Sequence, residues 1–216
     1  MLQKPEPHGL ELISHISTSC NDIVIRDSYA YLANGWDGFS ILDISNISSP
    51  SLLGKLHLPN YACSLAIHEN IVYIAEHPRE EQSLDENMNA PIIYPSGVQF
   101  IDVSNPTKPI EGYHYLAPDF VDDVAIHDNH LFILANHHPE PFKCTLLIVH
   151  LQNHKNLLLV GECSISGRGH QLVISNHQAY IATFDGLHVI DISNFNNPNE
   201  AYHVGNHLSL EGFGID

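Results

Sequence analysis

The sequence predicts an all-β fold, a β-propeller of four-stranded antiparallel blades, and two repeated patterns carry this prediction. One is an isoleucine followed six residues later by an aromatic residue, at the pairs Ile25/Tyr31, Ile67/Tyr73, Ile126/Phe132 and Ile174/Tyr180. The other is an ending of the form Ile/Leu-Asp-Ile/Val-Ser-Asn, at 42–46, 101–105 and 190–194. Successive isoleucines of the first pattern lie 42, 59 and 48 residues apart. A period of roughly 40–50 residues with several short strands per unit is typical of propeller repeats.

Each unit is predicted to contain four short strands separated by turns. In the first unit, short apolar runs cover 21–25, 29–33, 38–44 and 52–58, with turn-forming residues between them. Helical periodicity is almost absent from the chain. We expect the isoleucine that ends each first strand to be buried in the core.

The chain is predicted to be a single domain, 1–216, with four complete units and a partial strand at each end. The units cover about 20–59, 61–117, 120–166 and 168–207. An outer strand at 10–17 precedes them and an inner strand at 209–216 follows them. These two strands cannot complete a blade without two middle strands between them, so the ring is predicted to be incomplete or truncated; the alternative is a compact four-bladed ring with frayed ends. The longest insertion, 77–96, is expected to form a flap or partner-binding loop over one face.

The run YAYLANGWDGFSILDISNISSPSLLGKL, residues 29–56, resembles the LVIVD repeat. The second unit matches that repeat through 97–106 and the fourth through 179–198, whereas the third departs from it, with His150 in place of the aspartate. The resemblance implies a β-propeller of the kind found in bacterial and archaeal cell-surface proteins, mostly without a known activity, and it implies no catalytic residue. It suggests a cell-surface or secreted protein, although the first residues lack the apolar core of a signal peptide.

Charge and hydropathy restrict the classes of partner. The chain has 8 basic and 25 acidic residues, a net charge of −17 with histidine counted as neutral. Such a surface repels phosphate backbones, so no nucleic-acid partner is expected. No apolar stretch is long enough to span a bilayer, so no transmembrane segment is predicted.

The cysteines and the repeated aspartates are predicted to have structural roles. Cys144 and Cys163 fall on adjacent strands of the third unit, where either a cross-strand disulfide or two small buried thiols would fit. No Cys-x-x-Cys pair is present, which argues against a zinc-finger type of site. Asp43, Asp102 and Asp191 precede Ser-Asn, where a side-chain oxygen can accept hydrogen bonds from turn N–H groups.

Aligning the four inner strands predicts which residues surround the mouth of the central channel. These ligand-binding candidates are Asn21, Asp22, Cys63, Ser64, Asp122, Asp123, His170, Gln171 and Glu211. Loops on the same face add the candidates Trp36, Asp37, His77, His137 and His138.

A divalent metal is one candidate cofactor for this mouth. Asp122, His170 and Glu211 would supply carboxylate and imidazole ligands, which suit zinc, manganese or iron. The alternative is a polar mouth filled by water, because the chain has seventeen histidines and their spacing matches no compact ligand motif.

Two functional hypotheses follow from the sequence. The first is a noncatalytic scaffold that binds a protein or carbohydrate partner through its loop face. The second is a metal-dependent or hydrolytic enzyme with its site at the channel mouth. No Gly-x-Ser-x-Gly, Gly-x-x-x-x-Gly-Lys-Ser/Thr or Gly-x-Gly-x-x-Gly motif is present, and fold alone does not decide, because propellers have many unrelated activities.

Overall fold

The computed structural model describes residues 11–84, 91–117, 120–137, 143–153 and 156–205, and it contains four antiparallel sheets of four strands each. We number the sheets as blades in chain order and call the first strand of each blade its inner strand. The described residues contain no helix. The predicted architecture of four-stranded antiparallel blades is confirmed.

Blades 1 and 2 occupy the first half of the chain. Blade 1 consists of β1 (Asp22–Arg26), β2 (Tyr29–Ala33), β3 (Phe39–Asp43) and β4 (Ser51–Leu56). Blade 2 consists of β5 (Tyr61–His68), β6 (Ile71–His77), β9 (Gly97–Asp102) and β10 (Ile110–Leu116). The insertion between β6 and β9 contains a separate two-stranded sheet of β7 (Arg79–Leu84) and β8 (Pro91–Tyr94). The insertion is therefore a strand pair, not a plain loop.

Blades 3 and 4 repeat the same order. Blade 3 consists of β11 (Phe120–His127), β12 (His130–Asn136), β13 (Lys143–Asn153) and β14 (Asn156–Ser166). Blade 4 consists of β15 (Gly169–Ser175), β16 (Gln178–Thr183), β17 (Gly186–Asp191) and β18 (Asn199–Gly205). The predicted inner strand at 209–216 lies outside the described residues.

The hydrophobic core lies between adjacent blades, because each sheet presents alternate apolar side chains to the blade before it and the blade after it. Tyr31 belongs to the cluster between blades 1 and 2, Tyr73 to the cluster between blades 2 and 3, and Phe132 to the cluster between blades 3 and 4. These three aromatic side chains are at most 2 % exposed. Burying a large apolar side chain of this kind contributes roughly 1.5–3 kcal/mol, so the repeated aromatic is a main source of stability.

Two expectations at the start of the chain are wrong. Residues 11–20, which include most of the predicted outer strand at 10–17, contain no strand, because the described chain offers that segment no middle strand to pair with. Ile16 in that segment instead packs on Ala30, Leu32 and Leu42 of blade 1. Ile25 is 63 % exposed rather than buried, because Ile16 packs on β2 and β3 at that face of blade 1 and no described blade lies over β1.

The four blades form an open arc rather than a closed ring. The inner strands contact one another in chain order, β1 with β5, β5 with β11, and β11 with β15. Among the described element pairs in substantial contact, none joins blade 1 to blade 4. The inner strands nevertheless start at one common end of the arc, and this end holds the candidate site.

Candidate functional site

The starts of the four inner strands surround a cavity of about 420 Å³. Each blade contributes two adjacent polar or thiol-bearing residues at the same position, and these eight are Asn21, Asp22, Cys63, Ser64, Asp122, Asp123, His170 and Gln171. Val124 and Leu172 complete the lining. We call this the mouth cavity. The structure thus brings together eight of the nine channel-mouth candidates, and the ninth, Glu211, lies outside the described residues.

Two aspartates of the mouth cavity tie one blade to the next. The Asp22 carboxylate accepts a hydrogen bond from the backbone N–H of Leu65 on blade 2, at 2.9 Å. The Asp123 carboxylate accepts one from the backbone N–H of Leu172 on blade 4, at 2.6 Å. Each carboxylate also accepts from the N–H of its own following residue, at 2.8 Å. Sequence reasoning missed this role, whose only signal is an aspartate at the same inner-strand position in alternate units.

Ser64 lies between these aspartates with one hydroxyl proton for two acceptors. Its Oγ is 3.0 Å from Asp22 Oδ2 and 2.5 Å from Asp123 Oδ1. Burial raises the pKa of Asp123, and the nearby Asp22 charge adds to this, against the lowering effect of hydrogen bonds from Ser64, Leu172 and Val124. The three side chains Asp22, Ser64 and Asp123 share one proton, that of the Ser64 hydroxyl, and protonation of Asp123 would supply a second.

Asp122 faces a different set of partners. His77 Nε2 is 3.3 Å and Arg168 Nη2 is 3.7 Å from its Oδ1, and Asn136 donates a hydrogen bond to its Oδ2. Burial alone would raise the pKa of Asp122, but the neighbouring His77 and Asn136 side chains and the Arg168 charge outweigh it, so the pKa is lowered. Adjacent aspartates on one strand therefore have pKa values shifted in opposite directions.

Asn136 also joins blade 3 to blade 4. Its Nδ2 donates to the Gly169 carbonyl at 2.8 Å, and its Oδ1 accepts from the Gly169 N–H at 2.8 Å. Because both amide atoms are used on one glycine, the start of β15 is held against the end of β12. This fixes the position of His170, the next residue on the inner strand.

Aromatic side chains border the mouth cavity. Trp36 lies edge-on to Tyr61 at 4.9 Å, Tyr61 stacks on His77 at 6.0 Å, and His77 lies edge-on to Phe120 at 5.9 Å between ring centroids. We call these four residues the aromatic rim. Trp36 is 55 % exposed. The rim therefore offers an accessible aromatic surface directly beside a polar cavity.

The remaining loop-face candidates are less central. Asp37 accepts a hydrogen bond from Ser19 Oγ at 2.9 Å and lies 3.9 Å from Lys55 Nζ, so it stabilises its own loop. His137 Nε2 lies 2.8 Å from Thr145 Oγ1 in the same blade. His138 lies outside the described residues.

The described residues hold no group of three or more His, Cys, Asp or Glu side chains arranged to bind a metal ion. Of the predicted metal ligands, Asp122 and His170 both line the mouth cavity, while Glu211 lies outside the described part of the chain. In the same part of the chain there is no helix with the length and apolar character needed to span a membrane.

The cysteines are free thiols. Cys144 lies opposite Ile165, and Cys163 lies opposite Leu146, so the two thiols considered for a disulfide are diagonal neighbours that remain unbonded. Burial, followed by the charge of Asp122, raises the pKa of the Cys63 thiol. Cys63 is therefore a neutral thiol at the mouth, where it lies within hydrogen-bonding distance of two backbone carbonyls.

The repeated aspartates at the opposite end of the blades stabilise turns. Asp43, Asp102 and Asp191 each accept a hydrogen bond from the backbone N–H two residues later, at 2.8, 2.8 and 2.9 Å. These bonds lower the pKa of Asp43 and Asp191. The structural interpretation of these three residues is confirmed.

Comparisons with known proteins support the fold more than any activity. No curated protein matches the chain. Among solved structures it is similar to the computationally designed Ika8 protein, with 13 % identity and a TM-score of 0.56 over 84 % of this chain and 48 % of that one. It is also similar to the computationally designed Ika4 protein, with 14 % identity and a TM-score of 0.54 over 85 % of this chain and 99 % of that one. The chain spans about half the length of Ika8, and at these identities the likeness shows the fold alone.

The family comparison agrees with the repeats in the sequence. The LVIVD repeat matches residues 18–57, 97–117 and 166–205, which fall in blades 1, 2 and 4. Blade 3 lies outside these matches, yet it has the same four-stranded sheet. The chain is therefore a member of the LVIVD repeat family and is built as a propeller-like repeat scaffold.

Proposed function

We propose that this chain is a noncatalytic binding module whose loop face holds a protein or carbohydrate ligand at the mouth cavity and the aromatic rim. The observation that carries the proposal is a cavity lined mainly by polar side chains, from which a run of aromatic rings leads through His77 and Tyr61 to the exposed Trp36. Ligand sites commonly combine aromatic contact area with a few polar groups that fix orientation.

The hydrogen-bonding chemistry of the cavity favours a ligand that supplies donors. Asp22, Asp123 and Asp122 are acceptors when ionised, and Ser64 has one proton for two carboxylates. Sugar hydroxyls, or the amide and ammonium groups of a protein, would provide such donors. A flat apolar part of the same ligand would lie on Trp36 and Tyr61.

Several features argue against the enzymatic alternative. Asp22 and Asp123 already accept backbone hydrogen bonds from neighbouring blades, which is a structural use of both carboxylates. The raised pKa of Cys63 disfavours a nucleophilic thiolate. Ser64 has no histidine among its hydrogen-bond partners in the described residues.

Trp36 provides a direct test, because it is the only tryptophan of the chain. Intrinsic fluorescence is recorded while neutral and amino monosaccharides, and separately lysine- and arginine-containing peptides, are titrated into the protein. We expect a saturable change with at least one of these probes and at least a tenfold weaker response in Tyr61→Ala. The matched control is Ile47→Ala, because Ile47 is 59 % exposed and lies in a turn at the other end of blade 1.

The same preparations separate the proposal from the alternative. Elemental analysis measures bound metal, and chromogenic glycoside and ester substrates measure hydrolysis. Stoichiometric metal or turnover that disappears in both Asp122→Ala and His170→Ala would establish the enzyme instead. The absence of any saturable response in the fluorescence titrations would count against the binding module.

A further inference from the structure

Each junction between blades joins two different sheet faces. The blade nearer the start of the chain contributes its forward face, which carries the repeated aromatic, and the following blade contributes its rear face. At the three internal junctions the aromatics Tyr31, Tyr73 and Phe132 are almost fully buried on these forward faces. The apolar contact between a forward face and a rear face is therefore the repeated bond of this fold.

Blade 4 presents a forward face that no described element covers. One row of side chains crosses the four strands of this face, because Val173 pairs with Tyr180, Tyr180 with Val189, and Val189 with Tyr202. Val173, Tyr202 and Val204 are 52 %, 54 % and 56 % exposed. Tyr180 is half-buried and Val189 is buried, so the two ends of this row, Val173 and Tyr202, are the part that is open to solvent in blade 4.

Blade 1 presents the complementary rear face. Ile23 is 49 % exposed, whereas the residues at the same position in the next and last inner strands, Leu65 and Leu172, are 3 % and 5 % exposed. Ile25, on the same side of β1, is 63 % exposed. On the same face Ile16 packs on Ala30, Leu32 and Leu42, so the open part of this face lies along β1. The chain therefore carries both halves of its own repeated junction, one at each end, and each half has exposed apolar residues that no described element covers.

The polar part of the junction is also incomplete at blade 4. Gln171 occupies the inner-strand position of Asp22 and Asp123, since it pairs with Ala182 as Asp22 pairs with Ala33. Those aspartates accept the backbone N–H of the residue at one equivalent position of the next blade's inner strand, Leu65 or Leu172. The equivalent donor in blade 1 is the backbone N–H of Ile23, which donates to Asp22 of the same strand. The Gln171 amide oxygen is an acceptor of the right length to bind this N–H across a junction between blade 4 and blade 1.

We propose that these two faces bind each other between two copies of the chain, the forward face of blade 4 on the rear face of blade 1. Two such contacts around a two-fold axis would close a ring of eight blades, in which each open face is used once. A second copy is the occupant that fits, because every copy carries both halves of a junction that already forms three times within it. The faces are apolar where they meet, so salt does not weaken the contact itself. Salt should instead strengthen the dimer, because it screens the mutual repulsion of two chains that each have a net charge of −17.

Oligomeric state in solution tests the proposal, measured by light scattering after size exclusion and by sedimentation velocity. The wild-type chain should be a dimer, with a larger dimer fraction at higher salt. Val173→Asp and Ile25→Asp should each be monomeric with unchanged circular dichroism, because both side chains are already half exposed or more. Leu158→Asp is the matched control, since Leu158 is 52 % exposed on the outer strand of blade 3 and should leave the dimer intact.

A mixing experiment tests the head-to-tail arrangement. Val173→Asp retains an intact rear face and Ile25→Asp an intact forward face, so an equimolar mixture can form one wild-type contact. We expect heterodimers in the mixture although neither variant dimerises alone. A monomeric wild-type chain, a dimer that survives Val173→Asp, or larger open assemblies would each overturn the proposal.

Discussion

Replacing Asp123 by alanine should weaken the junction between blades 3 and 4 more than any other single change at the mouth. The carboxylate accepts from the backbone N–H of Leu172 at 2.6 Å, from Ser64 Oγ at 2.5 Å and from Val124 N–H at 2.8 Å. Leu172 is 5 % exposed, so water does not readily replace the lost acceptor. A hydrogen bond to a charged group contributes about 1.5–3 kcal/mol, and an orphaned buried donor costs about 1–3 kcal/mol.

These terms are partly offset because Asp123 is itself a half-buried carboxyl whose pKa is raised by burial, so its removal relieves a desolvation penalty. We expect the free energy of unfolding to fall by about 2–4 kcal/mol. Equilibrium urea unfolding followed by far-UV circular dichroism measures the midpoint and its slope. Asp102→Ala, which removes an exposed turn acceptor, serves as the control and should cost about 1 kcal/mol or less. A loss for Asp123→Ala no larger than that of the control would refute the idea that this carboxylate joins the blades.

The other predictions concern pH, thiol chemistry and backbone conformation. The folded pKa of Asp123 is raised, so the pH-dependent part of its contribution to stability is present below the ordinary value of 3.8 and is lost as pH rises through the folded pKa. The pKa of Asp122 is lowered, so its pH-dependent part is present above 3.8 and is lost as pH falls through the folded pKa. Urea midpoints of the two Asp→Asn variants against pH should therefore diverge from wild type in opposite directions, and parallel curves would contradict this. Burial raises the pKa of Cys144 to about 12 from 9.0, which lowers its thiolate fraction about 1,000-fold. Maleimide labelling followed by mass spectrometry should therefore modify the exposed Cys20 first. Early labelling of Cys144 in the native protein would contradict this expectation. Gly38 has a φ of +83°, and a Cβ at this position would lie 2.4 Å from a backbone oxygen of β4. Gly38→Ala should therefore lower the free energy of unfolding, measured in urea, by more than about 1 kcal/mol. An unchanged free energy of unfolding would contradict this reasoning.

The fold could be predicted from the sequence because its repeats act locally. The isoleucine-aromatic spacing specifies a two-strand hairpin in each unit, and Asp43, Asp102 and Asp191 specify the turn after the third strand. Exposure of Ile25 could not be predicted in this way. Whether that side chain is buried depends on a neighbouring blade, and the sequence pattern of a blade is the same whether or not a neighbour is present.

The candidate site could be predicted in position but not in chemistry. Aligning the inner strands was enough to collect eight residues around one cavity, because strands that start at equivalent positions converge at one end of the arc. The tie between Asp22 and the N–H of Leu65 was not visible, since it depends on the angle between two sheets. The opposite pKa shifts of Asp122 and Asp123 likewise arise from which side of β11 each carboxylate faces.

At one inner-strand position, blades 1, 2 and 3 carry Asp22, Ser64 and Asp123 in turn. Because aspartate and serine alternate there, we expect two blades, rather than one, to be the smallest unit that can be removed or inserted. If blade 2 were excised as a cassette and blade 1 joined to blade 3, Asp22 and Asp123 would become neighbours without the Ser64 hydroxyl between them. Two carboxylates would then compete for the same donors in a confined place. Excision of blades 2 and 3 together would instead set Asp22 beside Leu172, whose N–H already accommodates an aspartate. Shortened or lengthened versions of this scaffold should therefore tolerate changes of two blades better than changes of one.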